Sequence, residues 1–190
     1  MFEALLGKLA RGLDLRGIPY MLIGGQAVLL YGEPRLTRDV DVTLGVGPEK
    51  LSVILDLVRE SEWQVLTGSP ADFVAKTLVL PCLDSPSGIR VDLIFSFSAY
   101  ERQAIGRARV VPVAGTAIRY AAVEDLIIHK IVAGRPRDLE DVRSILLKNP
   151  ALDVDYVRRW LGEFEAAQVE YLLARFEELW KQKDAPSHPH

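Results

Sequence analysis

The length, composition and charge of this chain are those of a globular protein and exclude several other classes. Its 190 residues can form one domain with a substantial core, or such a core with a helical addition. Hydrophobic residues make up 49% of the sequence and the formal net charge is −3, which argues against a surface dominated by nucleic-acid binding but allows a local basic patch.

Cysteine usage and hydropathy together predict a cytoplasmic protein. Cys82 is the single cysteine, so no internal disulfide can form, as is usual in a reducing compartment. No apolar run approaches the roughly 20 residues that span a bilayer. The acidic Glu3 and the short apolar stretch around it do not suit a signal peptide. We therefore expect no membrane association.

The first half of the chain is predicted to alternate helices and strands. Apolar residues at helical spacing predict an opening helix over residues 2–16, and a short buried strand follows over 19–23, broken by Gly24 and Gly25. Further strands are predicted over residues 40–44, 63–66, 73–80 and 89–95, with helices over 26–31 and from Pro48 to about 61. Because Pro81 bounds it, the strand over 73–80 is expected at an edge of the sheet.

The second half is predicted to become helical. A short helix over residues 98–106 precedes a small hairpin around Ala114 and Gly115. Helices then follow over residues 123–133, 136–148, 153–161 and 166–181. Together these elements predict an α/β (α+β) fold: a short mixed β-sheet with flanking helices over residues 1–120, a helical bundle over 121–183 and a disordered tail over 184–190.

Three aspartates are the strongest candidates for chemistry. Asp39 and Asp41 are two residues apart on a predicted strand, so their side chains point to one face. Asp92 lies in a later apolar strand and would join them if the two strands are neighbours. Three carboxylates suit one or two Mg²⁺ ions, which prefer oxygen ligands. The alternative needs no metal: Asp39 is a solvent-facing strand end, and Asp92 pairs with an arginine such as Arg90.

The diglycine Gly24-Gly25 is a candidate phosphate site. Placed before a helix, it would let backbone N–H groups approach the β- and γ-phosphates of a nucleotide. The alternative is a tight strand–helix turn without a ligand. A metal site close to a phosphate site would indicate nucleotide chemistry.

These residues together resemble the nucleotidyltransferase superfamily related to DNA polymerase beta. The pattern that matches consists of Gly24-Gly25, Tyr31-Gly32, Pro34-Arg35, Thr37-Arg38-Asp39-Val40-Asp41 and Val91-Asp92-Leu93. It is most similar to the small bacterial and archaeal branch that includes the abortive-infection type nucleotidyltransferase toxins. The resemblance covers about residues 18–148.

The resemblance implies a site that binds the donor NTP together with Mg²⁺ or Mn²⁺. Asp39 and Asp41 would bind the metals that hold the triphosphate, while Asp92 would ligate the catalytic metal and help to activate the acceptor hydroxyl. Gly24 and Gly25 would cradle the phosphates. Many members have serine where this chain has Gly25, which leaves backbone contacts, helped by Gln26.

Two sets of charged residues accompany this pattern. Arg35 and Arg38 flank the aspartate pair, and they either touch the triphosphate or acceptor or neutralise the acids. The second set resembles a C-terminal motif of the toxin-like branch. This resemblance implies that its lysine approaches the nucleotide as a catalytic residue, and that Arg137 and Asp138 help to bind the nucleotide. This set consists of Lys130, Arg135, Arg137, Asp138 and Asp141. In the alternative interpretation, this segment is a helix N-terminus where the helix dipole stabilises the two acids, and Arg143 pairs with them.

Other reactive residues are interpreted as structural. His129 is expected on a helix face, Cys82 as a buried thiol at a strand end, and the tryptophans as packing residues. A set of arginines is either a basic surface for the acceptor or scattered solvated charge; it consists of Arg102, Arg107, Arg109, Arg119, Arg158 and Arg159.

The predicted function is metal-dependent transfer of a nucleoside monophosphate from an NTP to an acceptor hydroxyl. The toxin-like resemblance implies RNA, above all a tRNA 3′ end, as the acceptor and a cognate antitoxin as a partner. The alternatives are a small hydroxylated acceptor such as an antibiotic, a protein side chain as the acceptor, or a non-catalytic nucleotide-binding or toxin–antitoxin interaction module.

Overall fold

The computed structural model describes residues 2–96, 98–167 and 171–183. The chain divides into two compact units. We call Met1–Ala27 with Leu36–Ala122 the sheet unit, and Val28–Arg35 with Val123–His190 the helical unit. The helical unit thus takes in a short segment from the first half of the chain. The division into domains after residue 120 stays a prediction.

The sheet unit is built on seven strands flanked by helices. The strands are β1 (Tyr20–Ile23), β2 (Asp39–Leu44), β3 (Gln64–Val65), β4 (Val79–Asp84), β5 (Ile89–Phe95), β6 (Arg109–Val113) and β7 (Thr116–Tyr120). The helices are α1 (Phe2–Leu15), α2 (Gly24–Tyr31, which continues into the helical unit), α3 (Leu51–Glu60, after a 3₁₀ turn at Pro48–Lys50), α4 (Pro70–Thr77) and α5 (Ala99–Gly106). The strand order is β3-β4-β5-β2-β1-β7-β6; β2 pairs with β5 and β1 with β7 in parallel, and the other pairs are antiparallel. This mixed sheet confirms the predicted fold class.

The central strands alternate between a buried and a polar face. Every second residue of β2 and β5 is apolar and fully buried, including Val40, Val42, Val91 and Leu93. The residues between them include the three aspartates of the sequence pattern. Because side chains alternate along a strand, burying the valines and leucines in the core turns the acids to the opposite face.

The prediction of a strand over residues 73–80 was wrong, because that stretch is mostly α4. Pro70 in the first turn favours a helix start, and Leu78, in the left-handed region at φ 57°, ends the helix. The strand that follows, β4, pairs on both sides with β3 and β5 and is not an edge strand. Pro81 has no N–H to donate, but its carbonyl still accepts from the Leu66 backbone N–H at 2.8 Å, just beyond the end of β3.

The helical unit contains four helices of the second half, α6 (Val123–Ala133), α7 (Pro136–Lys148), α8 (Val154–Ala167) and α9 (Leu172–Gln182). Gly134 ends α6 at φ 62°, and a side chain there would meet Arg175 Nη1 at 2.4 Å. Asp153 caps α8, because its Oδ1 accepts from the Tyr156 backbone N–H at 3.0 Å.

The predicted end of α8 near residue 161 was wrong, since Gly162 lies inside the helix and α8 continues to Ala167. The predicted disordered tail, 184–190, lies outside the described residues. In the ranges that the structure describes, no helix is both long enough and apolar enough to cross a membrane.

Candidate functional site

The three aspartates are brought together by the register of two neighbouring strands. In the parallel pair β2–β5, Asp41 lies opposite Asp92, and Asp39 lies opposite Arg90. Residues opposite each other in a sheet point to the same face, as do residues two apart on a strand. These four residues therefore form one patch, which we call the acid block: three carboxylates and one guanidinium on one face of the sheet.

Within the acid block, Arg90 is bound to Asp92. The Arg90 Nε donates to Asp92 Oδ1 at 2.8 Å, and the two side chains are 51% and 18% exposed. This hydrogen bond raises the pKa of the Arg90 guanidinium, which stays cationic. Asp39, the first residue of β2, is exposed. Both features of the metal-free alternative, an exposed strand end and an Arg90–Asp92 pair, are thus present beside the predicted gathering of acids.

The acid block offers the ligand type that a hard divalent cation requires. Its donors are carboxylate oxygens, which Mg²⁺ and Mn²⁺ prefer. Among the described residues, however, no three His, Cys, Asp or Glu side chains are already arranged around a common metal position. The backbone therefore places three suitable ligands next to one another, while the Asp92 carboxylate is turned to Arg90.

Gly24 makes room for one of these carboxylates. Strand β1 pairs with β2 so that Ile23 lies opposite Asp41. A Cβ atom on Gly24 would lie 1.9 Å from Asp41 Oδ2, closer than atoms can pack. Its φ of 63° is also in the left-handed region that favours glycine. Helix α2 begins at this residue, so the Asp41 carboxylate and the N-terminus of α2 are adjacent.

The other predicted phosphate-side residues differ in accessibility. Gly25 is buried and Gln26 is 4% exposed, whereas Arg38 is on the surface just before β2. The structure thus leaves Arg38 able to meet a ligand in solution, and it buries the Gln26 side chain. Their roles towards a nucleotide stay predictions.

In the helical unit, Lys130 lies between two buried carboxylates. Its Nζ donates to Asp138 Oδ1 at 2.8 Å and lies 2.8 Å from Asp141 Oδ2. The side chains of Lys130, Asp138 and Asp141 are only 5%, 4% and 6% exposed. The acids are three residues apart near the start of α7, so they share the face that meets the Lys130 ammonium.

Arginines complete this arrangement, which we call the buried ionic cluster: Arg35, Lys130, Arg135, Asp138 and Asp141. Arg35 binds Asp141 through both Nε and Nη2, each at 3.0 Å. Arg135 Nε donates to Asp138 Oδ2 at 2.6 Å. Burial raises the pKa of the Asp138 carboxyl, but hydrogen bonds from Arg135 and Lys130 outweigh burial and hold that pKa below its usual value.

The segment around Arg35 is held on α7 by further bonds. The Glu33 backbone N–H donates to Ser144 Oγ at 3.2 Å, and Lys148 Nζ pairs with Glu33 Oε1 at 2.7 Å. Asn149 Nδ2 donates to the Tyr31 carbonyl at 2.8 Å. Arg35 therefore belongs to a segment whose position α7 fixes at several points.

The acids of this cluster have other partners than the alternative interpretation gave them. That interpretation paired them with Arg143, whereas Lys130, Arg35 and Arg135 bind them. The i, i+3 spacing of Asp138 and Asp141 was a signal that they share a face, and Arg135 is itself three residues before Asp138. Lys130 lies 8 residues from Asp138 and Arg35 lies 106 residues from Asp141, and such separations leave no local pattern. Arg137 is exposed beside the cluster. That Lys130, Arg137 and Asp138 contact a nucleotide stays a prediction, and the burial of Lys130 favours a structural role.

The Nε2 atom of His129 and the Cys82 thiol are shielded from solvent. Burial lowers the pKa of His129 to about 4, so the imidazole is neutral at physiological pH. Burial, with Asp92 nearby, raises the pKa of the Cys82 thiol to about 12, which suppresses the reactive thiolate. Trp63 and Trp160 are in the core.

A family model described as "Nucleotidyltransferase of unknown function (DUF6036)" matches residues 8–183. A comparison with curated proteins finds no match. Three solved structures are similar in fold, at identities too low to show more than the fold.

The solution structure of the antibiotic-resistance factor ANT(2'')-Ia is 18% identical, with a TM-score of 0.59 over 94% of this chain and 92% of that one. A crystal structure of ANT(2")-Ia with adenylyl-2"-tobramycin is 18% identical, with a TM-score of 0.52 over 93% and 97% of the two chains. An antigenic nucleotidyltransferase-like protein from Paracoccidioides brasiliensis is 17% identical, with a TM-score of 0.55 over 94% and 91%.

Proposed function

Since this chain belongs to the DUF6036 nucleotidyltransferase family, we propose that it transfers a nucleoside monophosphate from an NTP to an acceptor hydroxyl, with a divalent cation. The observation that carries the proposal is the β2–β5 register, which sets Asp41 beside Asp92 with Asp39 on the same face. Three oxygen donors on one sheet face suit Mg²⁺ or Mn²⁺. When bound, such a cation would neutralise charge on the triphosphate and on the leaving pyrophosphate.

The residues of the sheet unit would hold and orient the reactants. Asp39, Asp41 and Asp92 are the proposed ligands. The backbone N–H groups at the start of α2, from Gly24 and Gly25, would donate to phosphate oxygens, and the helix dipole favours negative charge there. The missing side chain at Gly24 keeps the Asp41 carboxylate next to those N–H groups. Catalysis would come chiefly from positioning and charge stabilisation.

The transfer itself needs one proton acceptor. The acceptor oxygen attacks the α-phosphorus, the bond from this phosphorus to the pyrophosphate oxygen breaks, and pyrophosphate leaves with the bonding pair. We assign the proton of the acceptor hydroxyl to a carboxylate oxygen of Asp92. Its neighbours in the acid block would hold that carboxylate at the reacting centre.

A direct test is transfer of label from each of four α-³²P-labelled NTPs, with Mg²⁺, to pools of RNA, protein and metabolites. We expect label in one pool with the wild-type protein and its loss in D41N and D92N, both of which should still fold. If no NTP labels any pool and calorimetry detects no Mg²⁺-dependent NTP binding, the catalytic proposal fails and a non-catalytic module is the better description.

Surface charge favours a small hydroxylated acceptor over RNA. Of the six arginines considered as a basic surface, Arg119, Arg158 and Arg159 lie 2.6, 2.6 and 3.9 Å from carboxylates. Such pairing leaves less positive charge for phosphates, and the net charge of the chain is −3. One structural neighbour is bound to an adenylylated antibiotic, which is a small acceptor of this kind.

The dependence of label transfer on salt concentration distinguishes the two acceptor classes. Transfer to RNA should weaken steeply between 50 and 200 mM salt, by about tenfold or more, because cation release drives RNA binding. Transfer to a small neutral or cationic acceptor should change far less. An RNA acceptor, an antitoxin partner, ATP as the donor and a cytoplasmic location stay predictions.

A further inference from the structure

The bond between Arg90 and Asp92 links a cation of the protein to a proposed metal ligand. Arg90 lies two residues before Asp92 on β5 and opposite Asp39 on β2. Its guanidinium donates to Asp92 Oδ1 at 2.8 Å. It therefore occupies part of the coordination capacity of one carboxylate and adds a positive charge to the face where a divalent cation would bind.

We propose that Arg90 is a built-in counter-ion that competes with the divalent cation for Asp92 and thereby weakens cation binding in the absence of nucleotide. The inference rests on the proposed function, because it requires the acid block to be the cation site. A cation that binds Asp92 Oδ1 must displace the Arg90 hydrogen bond, and a cation at either carboxylate oxygen must tolerate a nearby guanidinium.

The exposure of the pair makes the exchange feasible. Arg90 is about half exposed, so a released guanidinium returns to water without being buried unpaired. A pair whose guanidinium is this accessible to water contributes little to stability. A divalent cation with three carboxylates can therefore outcompete the pair, while the pair still lowers the affinity measurably.

Arg119 provides a matched control. It belongs to the same unit and binds Asp14 through Nη1 at 2.6 Å, with side chains 38% and 46% exposed. Replacing it by glutamine removes the same charge from a comparable surface pair that is not part of the acid block. A general effect of lower net positive charge on cation binding would show in R119Q and R90Q alike.

The test is a titration with Mn²⁺ alone, without nucleotide, in which electron paramagnetic resonance reports free Mn²⁺. Wild type, R90Q, R119Q, D92N and D41N are compared at constant salt. We expect R90Q to bind Mn²⁺ about threefold to tenfold more tightly than wild type. The variant lacks the Arg90–Asp92 pair that competes with the cation, and it lacks the guanidinium that repels the cation. R119Q should match wild type, and D92N should bind more weakly.

The other outcomes overturn the inference in distinguishable ways. If D92N weakens Mn²⁺ binding but R90Q binds Mn²⁺ with the affinity of wild type or of R119Q, the acid block binds the cation and Arg90 does not compete with the cation for Asp92. If D92N and D41N both bind Mn²⁺ as wild type does, the acid block is not the cation site, and the proposed function fails together with the inference.

Discussion

The two clusters of charged residues in this protein use aspartate in opposite ways. The acid block sets three carboxylates against one guanidinium on a face that solvent reaches. The buried ionic cluster sets two carboxylates against three cations, and its lysine and both acids are at most 6% exposed. The first has an excess of negative charge that a cation can use. In the second, every buried charge is paired with an opposite charge of the same cluster.

The contrast teaches that proximity of acids and bases does not by itself indicate a reactive site. A buried charge must be paired, and removal of one partner costs far more than the pair contributes. An exposed cluster with unbalanced charge costs little to rearrange and can exchange partners. We therefore expect substitutions in the buried ionic cluster to act mainly on stability and those in the acid block mainly on binding and transfer.

The largest stability effect should follow from K130M. Methionine keeps the length of the side chain but leaves Asp138 and Asp141 buried without the ammonium between them. We expect the free energy of unfolding to fall by about 3–5 kcal/mol, as measured by urea denaturation. The control is K148M in the same unit, which removes a pair with side chains 44% and 70% exposed and should cost less than about 1 kcal/mol. Equally small losses in both variants would contradict a structural role for Lys130.

A smaller effect should appear as a pH dependence of stability from His129. Its pKa is about 4 in the folded protein because it is buried, against about 6.5 when unfolded. Between these values the unfolded chain binds a proton that the folded chain does not, so stability falls as the pH is lowered from 6.5 to 4. The integrated loss is up to about 3 kcal/mol.

The measurement is urea denaturation at several pH values in a background with His188 and His190 replaced by glutamine. Replacing His129 by glutamine should flatten the curve over this window. An unchanged slope would mean that other groups carry the pH dependence.

Asp138 should affect stability at lower pH. Because its folded pKa is depressed, its stabilisation is present above about pH 3.9 and is lost as the pH falls through the folded pKa.

The smallest effect should come from G24A, and it isolates the space next to Asp41. Gly24 and Gly17 both have positive φ, 63° and 61°, so alanine at either should cost about 1–2 kcal/mol from backbone strain. Only at Gly24 does a Cβ meet Asp41 Oδ2, whereas nothing lies within 4 Å at Gly17. We expect G24A, but not G17A, to weaken Mn²⁺ binding as well. Equal Mn²⁺ affinities in the two variants would show that the space at Gly24 does not affect cation binding by the acid block.

Local patterns in the sequence were sufficient to predict the acid-bearing strands. The apolar residues of 40–44 and 89–95 predicted β2 and β5, and the Asp-x-Asp spacing put Asp39 and Asp41 on one face. Residues 73–80 misled because aromatic and β-branched residues favour a strand, while Pro70, just before them, and the left-handed Leu78 determine a helix. Such a short apolar stretch does not distinguish the two structures by periodicity.

Long-range partners were beyond prediction from one sequence. The register that sets Asp41 against Asp92 depends on how two strands some fifty residues apart pack. The bond from Arg35 to Asp141 joins residues 106 apart. Neither leaves a periodic signal, because both result from the packing of whole elements. The resemblance to a known family supplied the grouping of the acids, but not the pairing of Lys130. The Arg90–Asp92 pair was part of the metal-free alternative, because two residues of one strand at i and i+2 share a face.

The central claim, that the acid block binds and reacts while the buried ionic cluster stabilises, is tested most directly by the same isosteric change in each. D92N and D138N are compared by urea denaturation and by calorimetric titration with Mg²⁺ and a non-hydrolysable NTP. We predict that D92N keeps the free energy of unfolding within about 0.5 kcal/mol and loses nucleotide binding. We predict that D138N loses about 2–3 kcal/mol and keeps its nucleotide affinity under folded conditions. A destabilised D92N that still binds, with a stable D138N that does not, would contradict the account.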